Sequence, residues 1–287
     1  MTEQTTKPIL EGEAIQTWGG WRRTVFYSIV TLLLAGVGIT FWKVNLFPIL
    51  TWLPDDFLNS FYAAQLDFDH ITSGEFAPHK IHYLAIAATH WSFMIGLILQ
   101  FKDPRSKVAP MWQVTGGIGI VTLTYPFIDA SRVPPPIFAI IGLALVAGLV
   151  HPGNVFKRRP GPWNPTMAVL TIVAAVPTVV LIVNEVGLQA SGVEADTHWQ
   201  GLHYNFMGEY GLVLLLVLAL GASSLPGWRY SVWTGAFLAA LMGMGFIALP
   251  DMTSSRGVPW GMAMVAFSVV WLLLGERRHR SIVGAER

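Results

Sequence analysis

The sequence predicts an all-α integral membrane protein whose eight transmembrane helices form two duplicated four-helix units. Three observations predict this class: the scarcity of charge, eight apolar runs, and one motif pattern that occurs in both halves. Charged residues make up 12% of the 287 residues and apolar types 53%, whereas a soluble domain carries about 25% charged residues. Most of the surface is therefore expected to face lipid instead of water.

The eight apolar runs are the predicted transmembrane helices, because each reaches or approaches the roughly 20 residues that cross a bilayer. Their ranges are 24–42, 82–101, 110–128, 135–150, 166–187, 202–222, 232–250 and 260–275. The first run is expected to be a retained helix, since no small-residue cleavage site of a signal peptide follows it. Pro134 and Pro152 bracket the short fourth run, and such prolines favour a separate helix between them.

The distribution of Lys and Arg predicts that both termini are cytoplasmic. With the N-terminus inside, 14 of the 18 basic residues fall in cytoplasmic segments and 4 fall outside. This excess follows the positive-inside rule, and it agrees with an even number of spans. The predicted location is the plasma (inner) membrane, so the lipid bilayer is the first partner and other membrane subunits are further candidates.

A repeated pattern predicts that the two halves arose by duplication. The second span opens with Ile-His-Tyr at 81–83, and the sixth opens with Leu-His-Tyr at 202–204. An acid follows each His at a similar distance, 47 positions from His82 to Asp129 and 48 from His203 to Asp251. Such self-similarity favours an internal repeat over independent helix-cap chemistry. The halves would then be parallel and related by a pseudo-twofold axis along the membrane normal.

The predicted organisation follows from this repeat. It comprises a cytoplasmic N-terminal segment (1–23), a first four-helix unit (24–151), a linker (152–165), a second unit (166–276) and a basic cytoplasmic tail (277–287). A long outer loop at 43–81 breaks the symmetry of the first unit.

Histidines and carboxylates concentrate near the predicted outer boundary, which predicts a metal or haem site there. Neutral imidazole binds zinc, copper and iron, and carboxylates complete such sites. The metal-ligand candidates are His79, His82, His198 and His203. The cofactor-binding candidates, which extend deeper into the membrane, are His82, His90, His203 and Glu209. Taken singly, each of these histidines also fits an interfacial residue or a helix cap.

Ionisable residues within the spans are expected to face the bundle interior, because exposing them to lipid is costly. His90, Glu185 and Glu209 fall in this group.

A second group of charges lies at matching outer ends of the two halves. It consists of two Asp–Arg pairs: Asp129 with Arg132, and Asp251 with Arg256. The pairs fit either a bound anionic ligand or head group, or simple ties within each loop.

Composition narrows the function without naming a reaction. A net charge of +1 and the lack of any zinc-finger spacing give no case for nucleic-acid binding, and the absence of Cys removes thiolate ligands and nucleophiles. Three classes stay open. They are a metal- or haem-binding redox protein or enzyme subunit, a non-catalytic subunit or assembly factor that docks a partner, and a small-solute transporter.

Overall fold

The structure, a computed structural model, describes residues 18–40, 46, 52, 54, 79–124, 135–191 and 203–285. Helices account for 83% of these residues, and the described part of the chain contains no strand. Its α-helices are α1 (Gly20–Ala35), α2 (Lys80–Ile98), α3 (Val108–Thr124), α4 (Pro135–Val150), α5 (Pro165–Ala190), α6 (His203–Ala222), α7 (Trp228–Ala248) and α8 (Gly257–Ala285). A π-helix, Gly36–Thr40, continues α1.

Five of these helices are long and apolar enough to cross a membrane, which confirms the predicted class of helical membrane protein. They are α2 with its 3-10 extension (Lys80–Phe101), α5, α6, α7 and α8. A shorter apolar helix covers Phe138–Val150 within α4. Burial separates the central helices from the peripheral ones. Of the most apolar stretch of α6, 72% is buried, against 17% in α5 and in α8, so the outer two helices present their side chains to lipid.

Four helices form the centre of the bundle. Each of α2, α3, α6 and α7 packs against the other three. On one side α1 and α4 contact each other and lie against α2 and α3, whereas on the other side α5 and α8 contact each other and lie against α6 and α7. Each of these contacts within the first four helices has a counterpart within the last four.

Two glycines set the close approach of α7 and α8. A Cβ atom on Gly243 would lie 2.8 Å from the carbonyl oxygen of Gly261, and a Cβ on Gly261 would lie 2.5 Å from the carbonyl oxygen of Gly243. Small residues at such positions let the helix backbones touch, which is a common basis of packing in membranes.

The helix α8 continues to Ala285, beyond the predicted end of the eighth span at 275. Arg278 explains the extension, because its guanidinium donates hydrogen bonds to the carbonyl oxygens of Gly221 at 3.2 Å and Ser223 at 3.0 Å. It also lies 3.9 Å from the ring centroid of Trp228. The carbonyls at the end of α6 need such partners, so Arg278 completes this helix end.

A buried histidine joins α1, α2 and α4 at the same end of the bundle. His151, the first residue after α4, accepts a hydrogen bond at Nδ1 from the Gly153 amide at 3.0 Å. Its Nε2 lies 3.0 Å from Gln100 Oε1 and therefore donates, while its ring packs on Phe26 at 5.3 Å. The neutral imidazole satisfies both nitrogens at once, and burial lowers the pKa of His151 to about 3.

Acid is expected to destabilise the protein through His151. Since its pKa in the folded state lies below the unfolded value of about 6.5, protonation favours unfolding. The stabilising contribution is complete above pH 6.5 or so and declines as pH falls toward 3, by at most about 1.4 kcal/mol per pH unit. Thermal unfolding in detergent between pH 8 and pH 4.5 measures this decline.

The variant His151→Gln is expected to be less stable at neutral pH and to lose less stability in acid. His279→Gln, in the last turns of α8, serves as the control and should follow the wild type. Equal acid sensitivity of the wild type and His151→Gln would contradict the assignment.

Candidate metal centre

Three histidines converge at the end of the bundle where α2 and α6 begin, here called the histidine end. His79 directly precedes α2, His82 lies in its first turn, and His203 opens α6. Each residue offers a ring nitrogen, and these atoms all lie within 4.8 Å of one another. The three side chains are 1%, 0% and 2% exposed, so the nitrogens meet inside the protein.

The imidazole rings are in direct contact. The ring centroids of His79 and His203 are 4.4 Å apart, and those of His82 and His203 are 5.5 Å apart in a stacked arrangement. The two His-Tyr motifs also pack reciprocally, with His82 on Tyr204 at 5.8 Å and Tyr83 on His203 at 5.2 Å. The repeated motif thus supplies matched residues to one place.

Helix geometry explains why the three rings meet. His79 and His82 are three positions apart, and residues at this spacing share one face of a helix. The helices α2 and α6 pack against each other in the centre of the bundle. Since both begin at the histidine end, the first residue of α6 lies beside the first turn of α2.

A polar chain connects this cluster to an ion pair. His82 Nε2 lies 2.9 Å from Ser254 Oγ, and the Ser254 hydroxyl donates to Glu185 Oε2 at 2.5 Å. The other carboxylate oxygen, Glu185 Oε1, accepts from Arg256 at 3.2 Å. Glu185 is 1% exposed. Its burial confirms the expectation for this residue, and its charge is compensated by the guanidinium.

The chain fixes the tautomer of His82. Glu185 pairs with Arg256 as a carboxylate and therefore accepts the single hydroxyl proton of Ser254. Ser254 can then only accept from His82, so Nε2 of His82 carries a proton and Nδ1 of the neutral ring carries the lone pair. Histidines that bind metals commonly donate their second N–H to such a partner.

The donor set suits a transition metal. Three neutral imidazoles are typical ligands of zinc and copper, whereas magnesium and calcium require oxygen ligands. In a four-coordinate site with metal–nitrogen bonds of about 2.0–2.1 Å, the ligand nitrogens lie roughly 3.4 Å apart. Small side-chain rotations would bring nitrogens that lie within 4.8 Å to this spacing.

Two predicted site residues lie deeper in the bundle. Glu209, buried as expected at 2% exposure, accepts hydrogen bonds through Oε1 from Asn205 and from Thr124 at 3.2 Å. His90 is half-buried in α2 and lies eight residues beyond His82, or about 12 Å along the helix. Neither residue belongs to the group formed by His79, His82 and His203.

Two of the remaining predicted residues lie in the connection between α7 and α8. Arg256 forms its ion pair with Glu185, while Asp251 is exposed in the connection between α7 and α8. His198, Asp129 and Arg132 lie outside the described residues.

Sequence reasoning missed Ser254, which joins the cluster to Glu185. The sequence did contain a signal. The interval from Asp129 to Arg132 is three residues, whereas the interval from Asp251 to Arg256 is five. The longer connection includes this serine.

Comparisons with protein-family models, curated proteins and solved structures found no match to this chain.

Proposed function

We propose that this chain is a membrane metalloenzyme that binds one zinc or copper ion through His79, His82 and His203. The convergence of three buried imidazoles from two separate helices carries the proposal. The ring nitrogens of the three residues lie within 4.8 Å of one another, close enough for one ion to bind all of them.

The ring contacts favour a single ion over haem. A porphyrin held by two axial histidines must lie between their rings. Here His203 touches His79 at 4.4 Å and His82 at 5.5 Å, which leaves no space for a macrocycle between either pair. Iron is also less suitable, because non-haem iron sites commonly combine two histidines with a carboxylate.

Three protein ligands favour catalysis over a structural role. Structural zinc sites usually have four protein ligands, whereas catalytic sites have three and keep one position for water or substrate. Bound zinc or copper would polarise that water or substrate. The protein itself positions the three imidazoles. The hydrogen bonds from His82 Nε2–H to Ser254 and from Ser254 to Glu185 orient the His82 ring.

We further propose that the chain consists of two parallel four-helix units, with the histidine end outside the cell. The matched helix contacts of the two halves support the duplication, as do the reciprocal contacts of the two His-Tyr motifs. The distribution of basic residues, 14 against 4, supports the orientation. The metal would then lie between the units, near the outer surface.

Elemental analysis of protein purified in detergent without chelators tests the metal assignment. We expect about one zinc or copper per chain, as a single site of this type requires. Cobalt(II) added to the metal-free protein should produce the visible absorption of a tetrahedral site. Folded protein that stays metal-free after exposure to both ions would overturn the proposal.

The same preparation separates the alternative functions. A Soret band would indicate haem. A metal-free protein that purifies with a membrane subunit would indicate a docking role. Zinc flux into proteoliposomes would indicate transport past the deeper Glu209.

A further inference from the structure

A cavity of about 260 Å³ lies among α5, α6, α7 and α8. Its walls are mostly apolar. Two of its polar side chains use their protons internally, because Tyr210 donates to the Leu238 carbonyl at 3.1 Å and Thr178 to the Ala174 carbonyl at 2.7 Å. The wall therefore resembles the sites that hold hydrocarbon more than those that hold water.

The cavity opens between the two peripheral helices. Val173 and Val180 of α5 line it while 59% and 56% exposed, and Trp260 of α8 lines it while 47% exposed. Both helices present apolar side chains outward along most of their length. A ligand can thus enter laterally from the bilayer, which selects for molecules dissolved in lipid.

Arg256 supplies the one charged group of the described lining. Its guanidinium has five N–H donors, and within the described chain its hydrogen bond to Glu185 uses one of them. The side chain is 31% exposed. Glu185 is buried behind the guanidinium and is not part of the cavity wall, so an entering head group meets the cation.

We propose that this cavity binds a single-chain membrane amphiphile, with its apolar tail between α5 and α8 and an oxygen-acceptor head group on Arg256. Arg–oxygen hydrogen bonds are strengthened by the charge of the guanidinium. The head group would lie at one end of the chain formed by Arg256, Glu185, Ser254 and His82. That this amphiphile is also the substrate class of the metal centre rests on the proposed function, whereas the binding site itself does not.

Photolabelling of the whole chain in phospholipid nanodiscs tests the site. The probe is palmitic acid with a diazirine in the middle of its chain, and mass spectrometry locates the labelled peptides. We expect labelling in the parts of α5 and α8 that line the cavity. Unlabelled palmitate should compete with the probe, while hexadecane, which has no acceptor group, should compete poorly.

Matched variants on α8 distinguish the cavity from the general lipid surface. Ala263 lines the cavity, so Ala263→Phe should remove most of the labelling. Ala266 is exposed on the same helix outside the cavity, so Ala266→Phe should label like the wild type. Arg256→Gln should weaken competition by palmitate about tenfold, because a charge-assisted hydrogen bond is lost.

Wild-type labelling in Ala263→Phe, or unchanged palmitate competition in Arg256→Gln, would overturn the inference. Stronger competition by lysophosphatidic acid of the same chain length would assign the head group as a phosphate instead of a carboxylate. The metal content of the same samples keeps the two proposals apart. A metal-free wild type with labelling sensitive to Ala263→Phe would sink the metalloenzyme and leave the amphiphile site standing.

Discussion

His203→Ala is expected to weaken metal binding more than about 100-fold, because it removes one of three ligands while His79 and His82 remain. His90→Ala should leave the affinity unchanged, since His90 lies about 12 Å along α2 from His82. Zinc affinity can be measured by competition with a fluorescent chelator, in parallel with thermal unfolding of the metal-free proteins.

This pair of variants also decides between the two ligand sets that the sequence allowed. If His90→Ala lost the metal as fully as His203→Ala, the ion would bind deeper, toward Glu209. Similar unfolding temperatures of the metal-free variants would show that loss of metal is not loss of fold.

Glu185→Ala is expected to weaken zinc binding by about 10- to 100-fold, because Ser254 links Glu185 to His82. The substitution removes the acceptor that holds the Ser254 hydroxyl, and His82 then loses the orientation of its Nε2–H. Partners of this kind commonly contribute that much to metal affinity. The visible spectrum of the cobalt(II) protein should change as well, since the geometry of one ligand relaxes.

Glu276→Gln is the matched control for this prediction. Glu276 pairs with Arg229 at 2.8 Å at the opposite end of the bundle, so its substitution should alter neither the affinity nor the spectrum. Glu185→Gln, which keeps one acceptor oxygen, should retain more affinity than Glu185→Ala. An unchanged cobalt spectrum in Glu185→Ala would mean that the carboxylate only holds Arg256.

The sequence predicted the meeting of His82 and His203 from one pattern. Each opens an apolar helix and precedes a Tyr, and the structure stacks their rings at 5.5 Å. The prediction treated the two motifs as the openings of equivalent helices, whose first turns would then face each other. Amphipathicity contributed little here, since the apolar residues of α2 and α6 are spread around each helix and are not confined to one face.

The partner of Arg256 could not be predicted in the same way. Asp251 is nearby in sequence, but the connection after α7 turns it toward solvent, and Glu185 of α5 takes the ion pair instead. Sequence patterns report spacing along one segment, whereas this contact depends on how α5 packs beside the start of α8. Ser254 was missed for the same reason, because a loop serine acquires a role only from its neighbours.

The deeper residues, His90 and Glu209, show a second limit of prediction from the sequence. Both His90 and Glu209 were grouped with the outer histidines because ionisable residues inside a membrane are candidates for function. Glu209 accepts hydrogen bonds from Asn205, one turn away on α6, and from Thr124 of α3. The expectation that Glu209 faces the bundle interior is therefore confirmed, but it did not identify these hydrogen-bond partners.

The origin of the three ligands has a consequence for biosynthesis. Residues His79 and His82 leave the ribosome well before His203, and domains generally form in the order of synthesis. A nascent chain that ends before α6 has two of the three proposed ligands and lacks the third. Ion capture would thus follow completion of the second unit, and the bound ion would add stability by mass action. Metal scarcity would then leave newly made protein without this added stability at the contact between α2 and α6.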